Sequence, residues 1–114
     1  MLRPHVSVIV PTFGRPEYHE PLYRVFAGAT YPSKELRVLD DSPSPSPFFS
    51  GLRDPRVRYM WTPQRSSIGT KRNELAAIST GQVIVHGDDD DWYHPQWIET
   101  AVGRLGTNAL TKSP

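Results

Sequence analysis

Cysteine is missing from the chain, so disulfide bonds and thiolate metal sites are both excluded. The sequence also lacks an excess of either charge, because 13 Lys and Arg residues face 12 Asp and Glu residues and leave a net charge of +1. The basic residues are spread along the chain rather than gathered into a stripe, so nucleic acid is not an expected partner. No segment has the roughly 20 apolar residues of a membrane span, and no signal-peptide pattern opens the chain. We therefore expect a cytoplasmic protein.

Four consecutive aspartates at positions 88–91 follow a short apolar run that ends at His86. An apolar run bounded by turn-forming residues is typical of a buried strand. Carboxylates this close repel one another, and a divalent cation would neutralise them. Because all the donors are oxygens, Mg²⁺, Mn²⁺ or Ca²⁺ suits the run better than zinc. The alternative is a solvated acidic loop, which is the usual place of a charge run.

Short runs of β-branched and apolar residues predict four strands. They cover residues 6–10, 35–39, 57–61 and 82–86. The third run alternates only partly between apolar and polar residues, which favours a position at a sheet edge.

Apolar residues at helical spacing predict three helices. The first follows Pro16 and is delayed or kinked by Pro21; the second covers residues 71–78 and is ended by Gly81; the third opens at Pro95. Between the second and third strands, serine and proline alternate over residues 42–47, which predicts an extended, mobile loop.

The order of these segments is strand, helix, strand, strand, helix, strand, helix. It predicts a single α/β domain over residues 1–114, with a Rossmann-like, mainly parallel sheet in the order 3-2-1-4 flanked by helices. Ligands of such sheets bind beyond the carboxyl ends of the strands, where the strand order reverses. Polar residues follow three of the strand ends, so we expect them to share one crevice. These residues are Pro11 and Thr12, Asp40 and Asp41, and the aspartate run.

A nucleoside diphosphate fits the chemistry of this crevice. A cation held by Asp88 and Asp90 could bridge two phosphate oxygens, as Mg²⁺ and Mn²⁺ commonly do. The Asp41 carboxylate could accept a hydrogen bond from a base N–H, and Lys71 and Arg72 could meet phosphate or base oxygens at a helix start. The alternatives are a solvated helix face for Lys71 and Arg72 and ordinary turn chemistry around Asp41.

Four segments of the chain resemble motifs of family 2 glycosyltransferases, which are inverting enzymes with a GT-A fold. They correspond to the opening strand and loop, the second-strand aspartate motif, the glycine-then-Arg-Asn helix start and the DxD segment: residues 6–15, 38–42, 68–73 and 81–92. The motifs stand in the family's order, and the resemblance covers nearly the whole chain. Gly14 stands where the family often has Asn, so no side-chain contact is expected there.

The resemblance implies binding of a nucleoside-diphosphate sugar, with a UDP-sugar favoured, and of Mn²⁺ or Mg²⁺ as the cofactor. The implied nucleotide-binding residues are Pro11, Thr12, Arg15, Asp41, Lys71, Arg72, Asp88 and Asp89. Asp88 and Asp90 are the implied metal ligands, with Asp90 favoured and a shift of one residue left open by the run of four. Pro11, Thr12 and Asp41 would line the base pocket, and Arg72 would lie near the base or the diphosphate.

Family members are longer than this chain, and their additional part carries the acceptor site and a carboxylate general base that deprotonates the acceptor hydroxyl. No residue here can be assigned to that base. We therefore expect a truncated, nucleotide-binding half that transfers no sugar alone. Its fourth strand would be a bare apolar edge, which favours a homo-oligomer.

Other readings of the aspartate run remain open. A nucleotidyltransferase-like enzyme or phosphoesterase would need a second carboxylate cluster or a glycine-rich phosphate loop, and the sequence shows neither. A metal-dependent nucleotide-binding module without catalysis would share every motif described. An EF-hand loop starting at Asp88 would place Trp92 and Tyr93 where oxygen and glycine belong, with only Glu99 fitting. A zinc site at His86 and His94 would have to cross a strand-to-helix loop.

Overall fold

The structure is a computed structural model that describes residues 4–87 and 95–104. Strands and helices alternate in the predicted manner, with one additional short helix. The strands are β1 Val6–Thr12, β2 Lys34–Asp40, β3 Val57–Trp61 and β4 Val83–His86, and the α-helices are α1 His19–Gly28, α2 Pro47–Gly51, α3 Ile68–Ile78 and α4 Trp97–Arg104. A single 3₁₀ turn, Pro16–Tyr18, precedes α1.

The four strands form one parallel sheet in the order β3-β2-β1-β4, which confirms the predicted fold class and strand order. Val6 of β1 stands opposite Lys34 of β2 on one side and Val83 of β4 on the other. Because β1 and β2 are covered on both faces, both strands are almost continuously buried. β3 lies at an edge of the sheet, as its partial alternation predicts, and its residues alternate between half-buried and exposed.

Helices cover both faces of the sheet. On one face, α1, α2 and α4 contribute Leu22, Phe26, Phe49, Trp97 and Ile98 to the main apolar core. On the other face, α3 places Leu75 against a smaller cluster of β-strand residues: Ile9, Leu39 and Ile84. The sheet is therefore the middle of three layers. Among the described helices, none combines the length and apolar character needed to cross a bilayer.

The serine–proline segment differs from the prediction at its end, because Pro47 begins a helix. Proline suits the first helical position, where its missing N–H costs no hydrogen bond. The preceding residue, Ser46, caps α2 by accepting a hydrogen bond from the Phe49 backbone N–H at 3.2 Å. Residues 42–46 have no regular secondary structure, as predicted, but Ser42 and Ser46 are buried.

Two other predicted helix boundaries need correction. Helix α3 begins at Ile68, capped by the Ser67 side chain, and its C-cap is Ser79 in an extended conformation. Gly81 lies beyond the helix end and packs so closely on β1 that an added Cβ would lie 2.5 Å from the Ser7 nitrogen.

Helix α1 begins late, as Pro21 predicts, and Pro21 falls in its first turn, where backbone N–H groups lack intrahelical partners.

Candidate nucleotide-binding crevice

A cleft of about 370 Å³ opens where β1 ends and α3 begins. The structure brings five of the predicted nucleotide-binding residues to this one cleft: Pro11, Thr12, Arg15, Lys71 and Arg72. The remaining lining residues come from the loops after β1 and before α3: Phe13, Arg65, Ser66, Ser67 and Ile68. The cleft therefore lies at the carboxyl ends of the strands, the position at which parallel sheets bind ligands.

The cleft floor is built on a buried ion pair between α3 and the end of β2. Lys71 Nζ donates to Asp41 Oδ1 at 2.8 Å and to the Thr12 carbonyl oxygen at 3.2 Å. The other Asp41 oxygen accepts from the Ser66 backbone N–H at 2.8 Å. Burial acts to raise the pKa of the Asp41 carboxyl, but the hydrogen bonds from Lys71 and Ser66 outweigh it and hold that pKa below its ordinary value.

This pair changes the role that each partner can have. Asp41 and Lys71 are both almost completely buried, at 3% exposure each. The Lys71 ammonium is directed at Asp41 and Thr12 rather than outward, so its charge is largely balanced within the protein. Its position fixes the first turn of α3 against the ends of β1 and β2. The cations that remain exposed or half-exposed at the cleft are Arg15, Arg65 and Arg72.

Phe13 and Arg65 form a contact that no pattern in the sequence predicts. Phe13 follows β1, Arg65 precedes α3, and the Arg65 guanidinium carbon lies 3.7 Å from the centroid of the Phe13 ring. At Gly14, φ is +64°, a conformation that side chains other than that of glycine rarely adopt, and its N–H donates to Ser42 Oγ at 2.7 Å. The turn at Gly14 thus sets the direction in which the loop carries Phe13. The only feature of the sequence that points to this contact is an aromatic residue in the loop after a strand.

Asp40, which ends β2 and directly precedes Asp41, belongs to a different network. Asp40 Oδ2 accepts from the Tyr59 hydroxyl at 2.6 Å, and Tyr59 in turn accepts from the Ser46 N–H at 2.7 Å. Burial, together with the Asp40 hydrogen bond, raises the pKa of the Tyr59 hydroxyl far above its usual range. Asp40 therefore ties the serine–proline segment to the sheet, while Asp41 faces α3.

His19 extends this network to the cleft. Its Nδ1 lies 2.7 Å from Ser46 Oγ and its Nε2 lies 3.2 Å from Thr12 Oγ1. The His19 ring is 1% exposed and packs against Phe49 at 5.1 Å between centroids. His19 thus joins α2 to Thr12, which lines the cleft. Neither His19 nor Ser46 was identified from the sequence, because their partners are distant along the chain.

The predicted residues Asp88, Asp89 and Asp90 lie outside the described residues. The structure does describe where the chain leads to them. Gly87 follows β4, its N–H donates to the Ile9 carbonyl oxygen at 3.0 Å, and it packs against Val10. The aspartate run therefore begins two residues after His86, which ends the strand that neighbours β1. Within residues 4–87 and 95–104, His, Asp and Glu residues form no group of three suited to a metal ion.

Comparison with known proteins adds a family to this geometry. A family model described as Glycosyl transferase family 2 matches residues 7–111. A protein of Escherichia coli (strain K12) that carries the name of a colanic acid biosynthesis glycosyl transferase, WcaA, is 25% identical over 96 residues. That match spans 81% of this chain and 34% of the relative, so the chain corresponds to about a third of the relative's length.

Solved structures share the fold. S. aureus TarS 1-349 in complex with UDP-GlcNAc superposes with a TM-score of 0.77 at 22% identity, over 90% of this chain and 31% of TarS 1-349. The mannosyltransferase PcManGT from Pyrobaculum calidifontis, in complex with GDP-Man and Mn²⁺, superposes with a TM-score of 0.78 at 24% identity, over 92% of this chain and 33% of its own. Both are GT-A glycosyltransferases, and at these identities the likeness establishes the fold alone.

Proposed function

Because this chain belongs to glycosyl transferase family 2, we propose that its crevice binds a nucleoside-diphosphate sugar together with a divalent metal, for transfer of the sugar to an acceptor hydroxyl. One observation carries the proposal: the cleft beside β1 gathers Arg15 and Arg72 at the strand ends, next to the point where β4 leads into the aspartates. Cations at the cleft, together with the carboxylates that follow β4 in the sequence, match a diphosphate that is bound through a metal ion.

The base is proposed to bind against Pro11 and Thr12. Asp41 lies below them, and each of its oxygens already accepts one hydrogen bond. A carboxylate oxygen has a second lone pair, so Asp41 can accept from a base N–H while its pair with Lys71 stays intact. Arg15 and Arg72 are proposed to contact the phosphates, since a guanidinium can donate two parallel hydrogen bonds to phosphate oxygens.

The proposed metal ligands are Asp88 and Asp90, with Mn²⁺ or Mg²⁺ as the ion. The donor set fits, because consecutive carboxylates supply only hard oxygen ligands. The Mn²⁺ bound by the Pyrobaculum mannosyltransferase supports a divalent ion in this fold. When bound, the ion would supply positive charge to the diphosphate as it leaves.

The proposed reaction is an inverting displacement. The acceptor oxygen forms a bond to the anomeric carbon, the bond from that carbon to the diphosphate breaks, and the acceptor proton passes to a carboxylate base. Because the chain spans about a third of its relatives' length, we propose that this base and the acceptor site lie outside these 114 residues. A product assay with UDP-sugars should then show no turnover. The second candidate, a nucleotide-binding module without catalysis, would stay inactive even within a longer chain.

Calorimetric titration tests the binding proposal. UDP should bind measurably with Mn²⁺ and much more weakly after chelation, because the carboxylates repel a diphosphate that no cation bridges. Asp90→Asn should weaken binding by roughly 1–3 kcal/mol, the cost of losing a charged partner. A larger loss with Asp88→Asn than with Asp90→Asn would shift the main ligand by two positions.

The matched control is Glu20→Gln, which makes the same charge change at an exposed i,i+4 pair with Arg24. It should leave UDP affinity unchanged. Asp54 is unsuitable as a control, because it accepts hydrogen bonds from Tyr23 at 2.9 Å and from Arg56 at 2.7 Å. Equal heats with and without Mn²⁺, or equal losses for Asp90→Asn and Glu20→Gln, would refute the metal-dependent site.

A further inference from the structure

Phe13 and Arg65 are in contact at the cleft. The two residues belong to different loops, and both line the same 370 Å³ space. At 3.7 Å from the ring centroid, the guanidinium rests on the face of the phenyl ring. An aromatic face and a guanidinium plane are the two kinds of surface on which proteins stack nucleobases.

We propose that Arg65 is a base-stacking residue: a nucleobase binds between the Phe13 ring and the Arg65 guanidinium, with one π-face against each. The inference rests on the proposed function and deepens it by assigning a part of the base site. Phe13 is half-buried, and Arg65 comes from the loop between β3 and α3. The guanidinium has to move outward by one ring thickness to admit the base, and then covers the base's outer face.

The structure lets the Arg65 side chain make this movement while its backbone stays in place. The next residue, Ser66, is held by its N–H hydrogen bond to the buried Asp41 carboxylate. The Arg65 side chain is exposed, and in the described part of the chain no hydrogen bond or ion pair holds its guanidinium. By contrast, Lys71 is fixed by two hydrogen bonds beneath the cleft.

Stacking has a different signature from hydrogen bonding or phosphate contact. Every base has a π-face, so a stacking arginine stabilises all nucleotides to a similar degree. It contributes nothing to a ligand that carries phosphates without a base. A phosphate-binding arginine would instead act on both kinds of ligand.

Titrations of the 114-residue chain with UDP, CDP and GDP, and with inorganic pyrophosphate, all with Mg²⁺, separate these roles. Arg65→Ala should weaken the binding of all three nucleotides by about tenfold, which is the scale of one lost stacking contact. It should leave the affinity for pyrophosphate unchanged. Arg65→Lys keeps the positive charge but lacks the planar guanidinium group, so it should lose nearly as much nucleotide affinity as Arg65→Ala. Arg53→Ala is the control, since Arg53 is an exposed arginine that precedes β3, at the opposite end of the sheet.

Each other result would overturn the assignment. An equal loss for pyrophosphate would make Arg65 a phosphate ligand, and a gain in nucleotide affinity would mean that Arg65 competes with the base for Phe13. Unchanged affinity in Arg65→Ala, or full rescue by Arg65→Lys, would remove the stacking role. If the unsubstituted chain bound no nucleotide at all, the proposed function itself would fail, which is a distinct outcome.

Discussion

At the scale of single residues, the crevice depends on one buried charge pair. Lys71 and Asp41 are 30 residues apart in the chain, yet their side chains meet at 2.8 Å with almost no solvent contact. A buried pair adds little net stability when it forms, because both charges lose their hydration. Removing one partner is costly, since the other charge is then left buried and uncompensated.

Lys71→Met should therefore lower the free energy of unfolding by about 3–5 kcal/mol at pH 7. The folded-state pKa of Asp41 lies below its unfolded value, so its stabilising contribution is present at neutral pH and is lost as the pH falls through the folded pKa. In the variant that pKa rises, and protonation relieves the buried carboxylate. Urea unfolding at pH 7 and pH 4 should show a smaller gap between the two proteins at pH 4.

The double variant Asp41→Asn/Lys71→Met is the control for this prediction. It leaves no charge buried, so it should be more stable than Lys71→Met alone at pH 7. A penalty that did not change with pH, or a double variant that was less stable still, would show that Lys71 acts through packing of its carbon chain.

The sequence predicts the site only in part. The residue types that can bind a ligand are visible in the local sequence, whereas the contacts between them depend on distant segments. Residues that follow strand ends are visible in the sequence, which therefore predicts that Pro11, Thr12 and Asp41 share one crevice. Their partners depend on the return of distant segments. Nothing near Lys71 shows that Asp41 neutralises it, and nothing near Phe13 shows that Arg65 covers its ring.

At the scale of elements, the close approach between Gly81 and β1 sets how α3 connects to β4. The Gly81 N–H donates to Ser7 Oγ at 2.8 Å, and Ser7 Oγ donates to the buried Glu35 carboxylate. The Thr80 N–H donates to the same carboxylate at 2.9 Å. This network at the amino ends of β1 and β2 leaves no room for a side chain at position 81.

Gly81→Ala should destabilise the chain by about 1–3 kcal/mol, the usual cost of forcing extra atoms into a packed site. Its Cβ would meet the Ser7 nitrogen and the His5 carbonyl oxygen, which are backbone atoms that cannot turn aside. Thermal or urea unfolding measures the loss. Gly28→Ala is the matched control, because nothing lies within 4 Å of its added Cβ, and it should be neutral or slightly stabilising.

The elements that were predicted correctly are those that can be recognised from the types of residue in a short stretch of sequence. Runs such as Val6 to Val10 are rich in β-branched residues and buried on both faces, so they could be recognised as inner strands. Helix α2 has five residues, too few to show a helical period. Its cap, Ser46, is held by His19 and Tyr59, which are 27 and 13 residues away. Tertiary contacts thus define a helix that the local sequence does not.

At the scale of the whole molecule, the sheet has two edges of different character within residues 4–87 and 95–104. β3 carries the exposed charge of Arg58, which discourages pairing with another strand. β4 is apolar, and among the described residues it pairs only with β1. An apolar edge strand with open backbone groups can recruit a second copy of the chain.

The 114-residue chain should therefore self-associate, and light scattering over a dilution series should show a dimer or larger species. Hydrogen exchange locates the contact. Since Val83 and Gly87 donate to β1, the intervening Ile84 N–H points to the open edge and should exchange more slowly as concentration rises. The Tyr59 N–H on the β3 edge serves as the control. A clean, heat-stable monomer would contradict the prediction.

The central position of β1 also has a kinetic consequence. Its ladder with β4 pairs Val6 with Val83, 77 residues apart, whereas its ladder with β2 pairs Val6 with Lys34, 28 residues apart. Loop closure costs more entropy over the longer separation, so the β1–β2 pair should form early and β4 should dock late. β1 is an inner strand of the folded sheet. Until β4 docks, however, β1 has one open flank with no strand paired to it. During synthesis, that open flank is where a chaperone would bind this chain before β4 has emerged from the ribosome.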